Sequence, residues 1–300
     1  MTAGISTADT IGIAGLGLMG SACATRLHGA GFSLRGFDVD AARCAAFTGA
    51  RRAPAASVAE LARHCAVVVL AVFDTTQVEE AVEGPGGILA SSTPGRRPVV
   101  VCTSTCDPDR IAALAARCAT AGLPFVELPV SGTSGSMAKG DAVGLVGGKP
   151  ADIDHIMPVL DALCPQRHYL GAAGNGGRAK LAVNLVLGLH RGAMAEGLVF
   201  AERLGLDPSA FLNVLIGSAA YSRVMEVKGT LMAERRFDPP QSRVDQSLKD
   251  FGLMAQQATQ HGQELPFASV YTRLLGDCVE HGEALLDNAI IIEAIRRRTV

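Results

Sequence analysis

The stretch Ile11 to Gly20, IGIAGLGLMG, decides how the rest of the chain is read. Ile11 to Ala14 is a short apolar run of strand character. Gly15, Gly17 and Gly20 follow in G-x-G-x-x-G spacing, and an alanine-rich helical segment continues to Leu27. In that order the first glycine permits a tight turn, the second leaves room for a pyrophosphate against bare backbone, and the third allows close contact of helix with strand. The spacing alone also describes an ordinary glycine-rich turn, so its context matters. Phe32 to Phe37 reads as a second strand ending in Asp38, where a βαβ unit places the carboxylate that binds a ribose.

Outward from this unit the alternation continues. Ser57 and Glu60 form a capping box ahead of a helix to His64, and Ala66 to Val72 is a buried strand. Thr75 to Val82 is helical, Pro98 to Val101 is a strand, and Asp107 with Pro108 starts a helix to about Thr120. Phe125 to Leu128, Ala142 to Val146 and His168 to Leu170 supply further strands, with one helix over Ala151 to Leu163. Strands separated by helices predict an α/β fold, a Rossmann-like, doubly wound and mainly parallel sheet covered on both faces. From Gly176 onward the periodicity is helical, beginning with a long run from Arg178 to Leu204. The glycine-rich Gly171 to Gly177 marks the boundary between a dinucleotide-binding domain, residues 1–172, and an all-α domain for substrate and oligomerisation, residues 173–300. A long interdomain helix joins the two.

Composition sets bounds on function. A chain of 300 residues exceeds what one core usually serves. The net charge of −2 gives no electrostatic case for nucleic acid or an anionic membrane surface. Met1 to Thr10 lacks the basic start and apolar core of a signal peptide, and the longest apolar runs fall short of a membrane span. Eight cysteines are scattered without C-x-x-C spacing or clustered histidines, which reads as reduced thiols of a cytoplasmic protein and as no metal site. Arg296, Arg297 and Arg298 read as a solvated helix end.

Ligands of such a sheet bind at the carboxyl ends of the strands. The loops there are Gly15 to Gly20, the residues Val72 and Phe73, the stretch Cys102 to Thr105, and PVSGTSGSMAKG from Pro129 to Gly140. The Ser104 and Thr105 hydroxyls are placed either to reach ribose or nicotinamide, or to cap the helix before Asp107. Ser131, Gly132 and Thr133 set a hydroxyl beside approachable backbone N–H groups, which suits a carboxylate and equally describes a flexible loop. In GNGGRAKLAVN, Gly174 to Asn184, Lys180 and Asn184 are four residues apart and share a helix face. Lys180 is either a snorkelling interfacial lysine or a proton donor and acceptor tuned by burial. Lys249 and Asp250, in SLKDF, read as an adjacent charge pair on a helix.

Together these segments resemble the β-hydroxyacid dehydrogenase family, which includes 3-hydroxyisobutyrate dehydrogenases and tartronate semialdehyde reductases. The matching motifs run in order: GLGLMG at Gly15 to Gly20, FDVD at Phe37 to Asp40, TST at Thr103 to Thr105, PVSG at Pro129 to Gly132, GNGGRAKLAVN, and LKDF at Leu248 to Phe251. The resemblance implies hydride transfer between NAD(P) and the C3 hydroxyl or aldehyde of a short 3-hydroxy acid, with Lys180 as general acid–base. It implies substrate contacts from Ser131, Gly132, Thr133, Asn184 and Asp250. It implies cofactor contacts from Gly15, Leu16, Gly17, Leu18, Met19, Gly20, Asp38, Val72, Phe73, Thr105 and Lys249. Asp38 favours NAD, while Arg35 and Arg43 keep NADP open. The partner is a small hydroxy acid or semialdehyde, and the resemblance implies a homodimer or homotetramer.

The chain departs from the family at Thr133, where S-G-G is usual, at Val183 in place of an asparagine, at Val72 and Phe73 in place of Leu-Pro, and at Cys102 in place of an aspartate. The competing expectations are C=N reduction by an imine-reductase-like relative, which lacks the lysine, and a dinucleotide-binding module without catalysis.

Overall fold

The computed structural model of the chain describes residues 4–93, 95 and 97–299. It divides into two compact units, Met1–Lys180 and Leu181–Val300. In the first, strands and helices alternate in chain order: β1 (Thr10–Ala14), α1 (Leu18–Gly29), β2 (Ser33–Phe37), α2 (Ala41–Ala46), β3 (Arg52–Pro54), α3 (Val58–His64), β4 (Val67–Leu70), α4 (Thr75–Glu83), α5 (Ile88–Ser91), β5 (Val99–Cys102) and α6 (Pro108–Ala121). There follow β6 (Phe125–Glu127), β7 (Val130–Ser131), α7 (Ser134–Lys139), β8 (Val143–Gly148), α8 (Pro150–His155), α9 (Met157–Leu163) and β9 (Arg167–Tyr169).

The sheet order is β3-β2-β1-β4-β5-β6, all parallel, which is the order of a dinucleotide-binding fold with its topological switch between β1 and β4. Beyond it, β6 and β7 run in succession along one edge of β8, antiparallel to it, and β9 lies parallel along the other. Alternation along each strand divides the core. Ile11, Ile13, Val67, Val69, Val99 and Val101 pack with Cys23 and Leu27 of α1 on one face. Val68, Leu70, Val100 and Cys102 pack with Leu61, Val82 and Leu114 on the other. Burial on both faces is why the parallel strands read as continuous apolar runs.

Several local expectations change. Pro129 to Gly140, anticipated as a loop, contains β7 and α7, because Thr133 caps the helix by accepting the Ser136 N–H at 3.2 Å. The single helix anticipated over residues 151–163 breaks at Ile156 (φ −105°, ψ 17°), two residues before Pro158. The short β3, which has only a three-residue register with β2, carried no readable alternation.

The second unit is helical. Helix α10 (Asn175–Arg203) runs into it and is followed by α11 (Pro208–Ile216), α12 (Arg223–Ala233), α13 (Val244–Gln260), α14 (Pro266–Glu280), a 3-10 turn (Asn288–Ile290) and α15 (Ile291–Arg296). Its core joins Leu181, Met194, Leu198, Phe251, Tyr271 and Ile292. Gly188 and Gly192 let the Phe251 and Tyr271 rings close on α10, since a Cβ on Gly188 would stand 2.5 Å from Phe251. The arginine cluster is not a free helix end. Arg296 pairs with Glu202 and Glu293, and Arg297 with Glu283 and Asp277.

One ion pair is fully inside this unit. Lys228 Nζ donates to both Asp287 oxygens at 2.8 and 2.7 Å, and Asp287 also accepts N–H groups from Gln241, Ser242 and Ala289. Burial pushes the Lys228 amine down to about 8, against the pull of Asp287. Removing the lysine leaves a carboxylate in the core, so Lys228→Met costs roughly 3–5 kcal/mol, read as the loss of unfolding free energy in urea titrations.

Candidate active site

The turn from β1 into α1 is shaped by missing side chains. Gly15 has φ 92°, and a Cβ there would stand 2.4 Å from the Ala71 carbonyl oxygen. A Cβ on Gly20 would stand 1.8 Å from the Gly15 oxygen, so helix and strand meet backbone to backbone. Gly17 differs: a Cβ there meets only Arg43 Nη1, at 3.7 Å. As N-cap of α1 it offers no side-chain acceptor, and the first turn carries no acid. The N–H groups of a 12-residue helix are thereby left to an external anion. Of the neighbouring candidates, Leu16 is buried, Met19 half-buried and Leu18 exposed.

Asp38 closes the adjacent side. It is 8% exposed; Oδ2 accepts the Leu16 N–H at 2.6 Å and Oδ1 accepts the Asp40 N–H at 2.9 Å. Arg43 Nη1 is 3.4 Å from Oδ2, whereas Arg35 is drawn away into an ion pair with Glu60. An open helix N-terminus, a glycine with space above it and an anchored carboxylate at the end of β2 fit a dinucleotide: pyrophosphate at the first, ribose hydroxyls at the last.

The loops after β4 and β5 are joined. Ser104 Oγ donates to the Val72 carbonyl at 2.8 Å and Thr103 Oγ1 to Leu70 at 2.9 Å, so Ser104 does not cap α6; Asp107 does. Val72, Phe73 and Thr105 are half-buried at this end of the sheet, and the Phe73 N–H is taken by Gln77. Ser131 ends β7, Gly132 has φ 146°, and the Thr133 hydroxyl is engaged with Ser136 at the start of α7.

Lys180 is 7% exposed on α10, one turn before Asn184. Within the helical unit, Asn184 Nδ2 donates to Asp250 Oδ2 at 2.9 Å, and Lys249 Nζ pairs with Asp250 Oδ1 at 3.1 Å. The Asp250 carboxylate therefore brackets the two side chains rather than standing open.

One buried acid escaped the sequence reading. Glu127, 2% exposed in β6, accepts the Gly174 N–H at 2.8 Å and also those of Gly177 and Gly176. Burial pushes its carboxyl up to about 7, against the pull of those N–H groups and of Arg178. A single charge between Val126 and Leu128, in a strand otherwise apolar, was the available signal.

Comparison with known proteins agrees with this geometry. Residues 10–171 match the model of the NAD-binding domain of 6-phosphogluconate dehydrogenase, and residues 174–295 that of the NAD-binding segment of NADP-dependent 3-hydroxyisobutyrate dehydrogenase. An L-threonate dehydrogenase of Cupriavidus necator is 31% identical over 94% of this chain and 95% of its own length. The chain belongs to the β-hydroxyacid dehydrogenase family. It is an NAD(P)-dependent hydroxyacid dehydrogenase. Within the family, a 2-hydroxy-3-oxopropionate reductase of Escherichia coli is 28% identical over 95% of this chain and 96% of its own. A crystal structure of 3-hydroxyisobutyrate dehydrogenase from Salmonella typhimurium superposes with a TM-score of 0.85 at 28% identity, covering 95% of this chain and 99% of the other. Among the described residues no group of three or more His, Cys, Asp or Glu is arranged to hold a metal ion, and no helix is long and apolar enough to cross a membrane. All eight cysteines are free thiols.

The two glycines of the turn separate folding from binding. Gly17→Ala keeps its melting temperature but binds NAD about tenfold or more weakly, a loss of about 1.4 kcal/mol or more. Gly20→Ala is destabilised by ~3 kcal/mol or more because the Gly15 carbonyl has nowhere to go. Calorimetric melting and cofactor titration on the two variants check the pair.

Proposed function

We propose that this dehydrogenase acts at the C3 hydroxyl of a short 3-hydroxy acid, or on the corresponding semialdehyde, with Lys180 as the general acid–base. The observation that carries the reading is a lysine 7% exposed on α10, within GNGGRAKLAVN, at the end of a unit already built for a dinucleotide. NAD(P), when bound, supplies the hydride acceptor or donor. In oxidation Lys180 takes the hydroxyl proton as the hydride leaves C3, and in reduction it returns that proton to the new alkoxide. Ser131 to Thr133 hold the substrate carboxylate through backbone N–H groups and the Ser131 hydroxyl. Asn184, oriented by Asp250, fixes a substrate hydroxyl, and Lys249 closes over the ligands.

Thr133 narrows the choice of substrate by its methyl group, since its hydroxyl is already engaged at the start of α7. Reduction of a C=N bond is disfavoured by the lysine, and a non-catalytic module would leave Lys180 dispensable. The residues 1–172 form the nucleotide domain in this reading, and residues 173–300 the helical one.

NAD is the preferred cofactor. The Asp38 carboxylate sits where a 2′-phosphate would be repelled, Arg35 is committed to Glu60, and Arg43 is held near Asp38 and Asp40.

Lys180→Ala should lower kcat by about a hundredfold or more while cofactor affinity stays near that of the parent. Unchanged turnover sinks the catalytic role. A panel of 3-hydroxyisobutyrate, glycerate and threonate, followed by NADH absorbance and by the carbon that carries the new carbonyl, tests the substrate class. Oxidation at C2 would overturn the C3 assignment. With the preferred substrate, kcat/KM should be higher with NAD than with NADP; the reverse order would overturn the argument from Asp38.

A further inference from the structure

We infer that Glu127 is a positioning residue for the reaction: its buried carboxylate grips the first turn of α10 and so fixes where that helix presents Lys180. The inference rests on the reading of Lys180 as the general acid–base.

The local construction is specific. Glu127 stands in register with Cys102 of β5 on one side and Gly147 of β8 on the other. A Cβ on Gly147 would lie 2.8 Å from Glu127 Oε2, on Gly176 3.0 Å from the same atom, and on Gly177 2.8 Å from Oε1. Three glycines thus clear the volume that the carboxylate fills. Into it point the N–H groups of Gly174, Gly176 and Gly177, which at the start of a helix have no intrahelical acceptor. The bonds are charge-assisted, and a negative charge at a helix N-terminus is favoured by the macrodipole. They bind the sheet to a glycine-rich segment that would otherwise have the backbone freedom to fray. Lys180 lies about 9 Å further along the axis at the usual rise per residue, so the aim of its amine follows from how this turn is seated.

The charged and titratable groups facing the carboxyl are few. Arg178 on α10 is turned outward to Asp109 of α6 at 2.6 Å and to Asn175 at 2.9 Å. The Cys102 thiol on β5 is pushed well up by its bond with Cys106, by burial and by Glu127 itself. From β8 only backbone and Gly147 approach. With its carboxyl raised to about 7 by burial, Glu127 changes charge across the neutral range. The stability it lends the fold is therefore fully present below the ordinary glutamate value and declines as pH rises through about 7. The strength of its grip on α10 changes in the opposite sense, being greatest when the carboxylate is charged.

The test compares the parent with Glu127→Gln, which keeps shape and one acceptor oxygen but cannot ionise, and with Glu127→Ala. The first measurement is amide hydrogen-exchange protection at Gly174, Gly176 and Gly177 from pH 6 to 8, corrected for intrinsic exchange. Protection should rise with pH in the parent and be lower and flat in Glu127→Gln. The second is the pH profile of kcat and KM. Glu127→Gln should lower kcat about tenfold or more at pH 8, as a misplaced catalytic group does, with KM changed less than twofold, and should flatten the acidic limb of the profile. A Glu127→Gln protein with parental protection and a parental kcat profile overturns the inference alone, whether or not Glu127→Ala folds. Full activity in Lys180→Ala overturns the reading on which it rests, and the exchange measurement tells the two failures apart.

Discussion

The structure depends on a contact that only hydrogen permits, between Gly20 on α1 and the carbonyl of Gly15 at the end of β1. Because the helix can lie directly on the backbone of the strand, its N-terminus reaches the carboxyl edge of the sheet where the switch between β1 and β4 opens. Asp38 then locks the turn from the side by accepting the Leu16 N–H, which couples the end of β2 to the same few atoms. Helix dipole, open backbone and carboxylate are brought together by steric permission rather than by any strong attraction.

The same logic recurs at the far side of the sheet. Gly147, Gly176 and Gly177 surround Glu127, and the carboxylate occupies the space they leave. Here the attraction is strong, because an acid inside the protein is bonded by helix N–H groups that water cannot reach. The helical unit uses a related device at Asp287, where three N–H groups and Lys228 surround a second buried carboxylate. Both acids organise backbone that has no regular hydrogen-bonding partner of its own.

Much of this was legible in the chain. The glycine spacing, the strand ending in Asp38 and the alternation of apolar runs with capped helices were enough for the parallel sheet and its order of connection. The long run after Gly176 was enough for α10, since periodicity over many residues outweighs local noise. Short elements were not legible: β3 and β7 span three and two residues and take their form from a neighbour's edge rather than from their own pattern. The break between α8 and α9 turned on one proline, and the cap at Thr133 on one hydroxyl. Of the candidate site, the residue types could be read but their partners could not. Nothing in sequence spacing joins Asn184 to Asp250 or Ser104 to Val72, and Glu127 showed only as a charge out of place in a strand.

The bond from Ser104 to the Val72 carbonyl has a consequence for ligand binding. Two loops that follow separate strands are tied at their roots, with Thr103 and Leu70 forming a second tie one residue back. Their relative freedom is surrendered when the chain folds, so a ligand arriving at this edge meets a preorganised rim and does not have to arrange it. Affinity there is set by the fit of the ligand to a rigid margin, and a ligand of the wrong width is refused rather than accommodated.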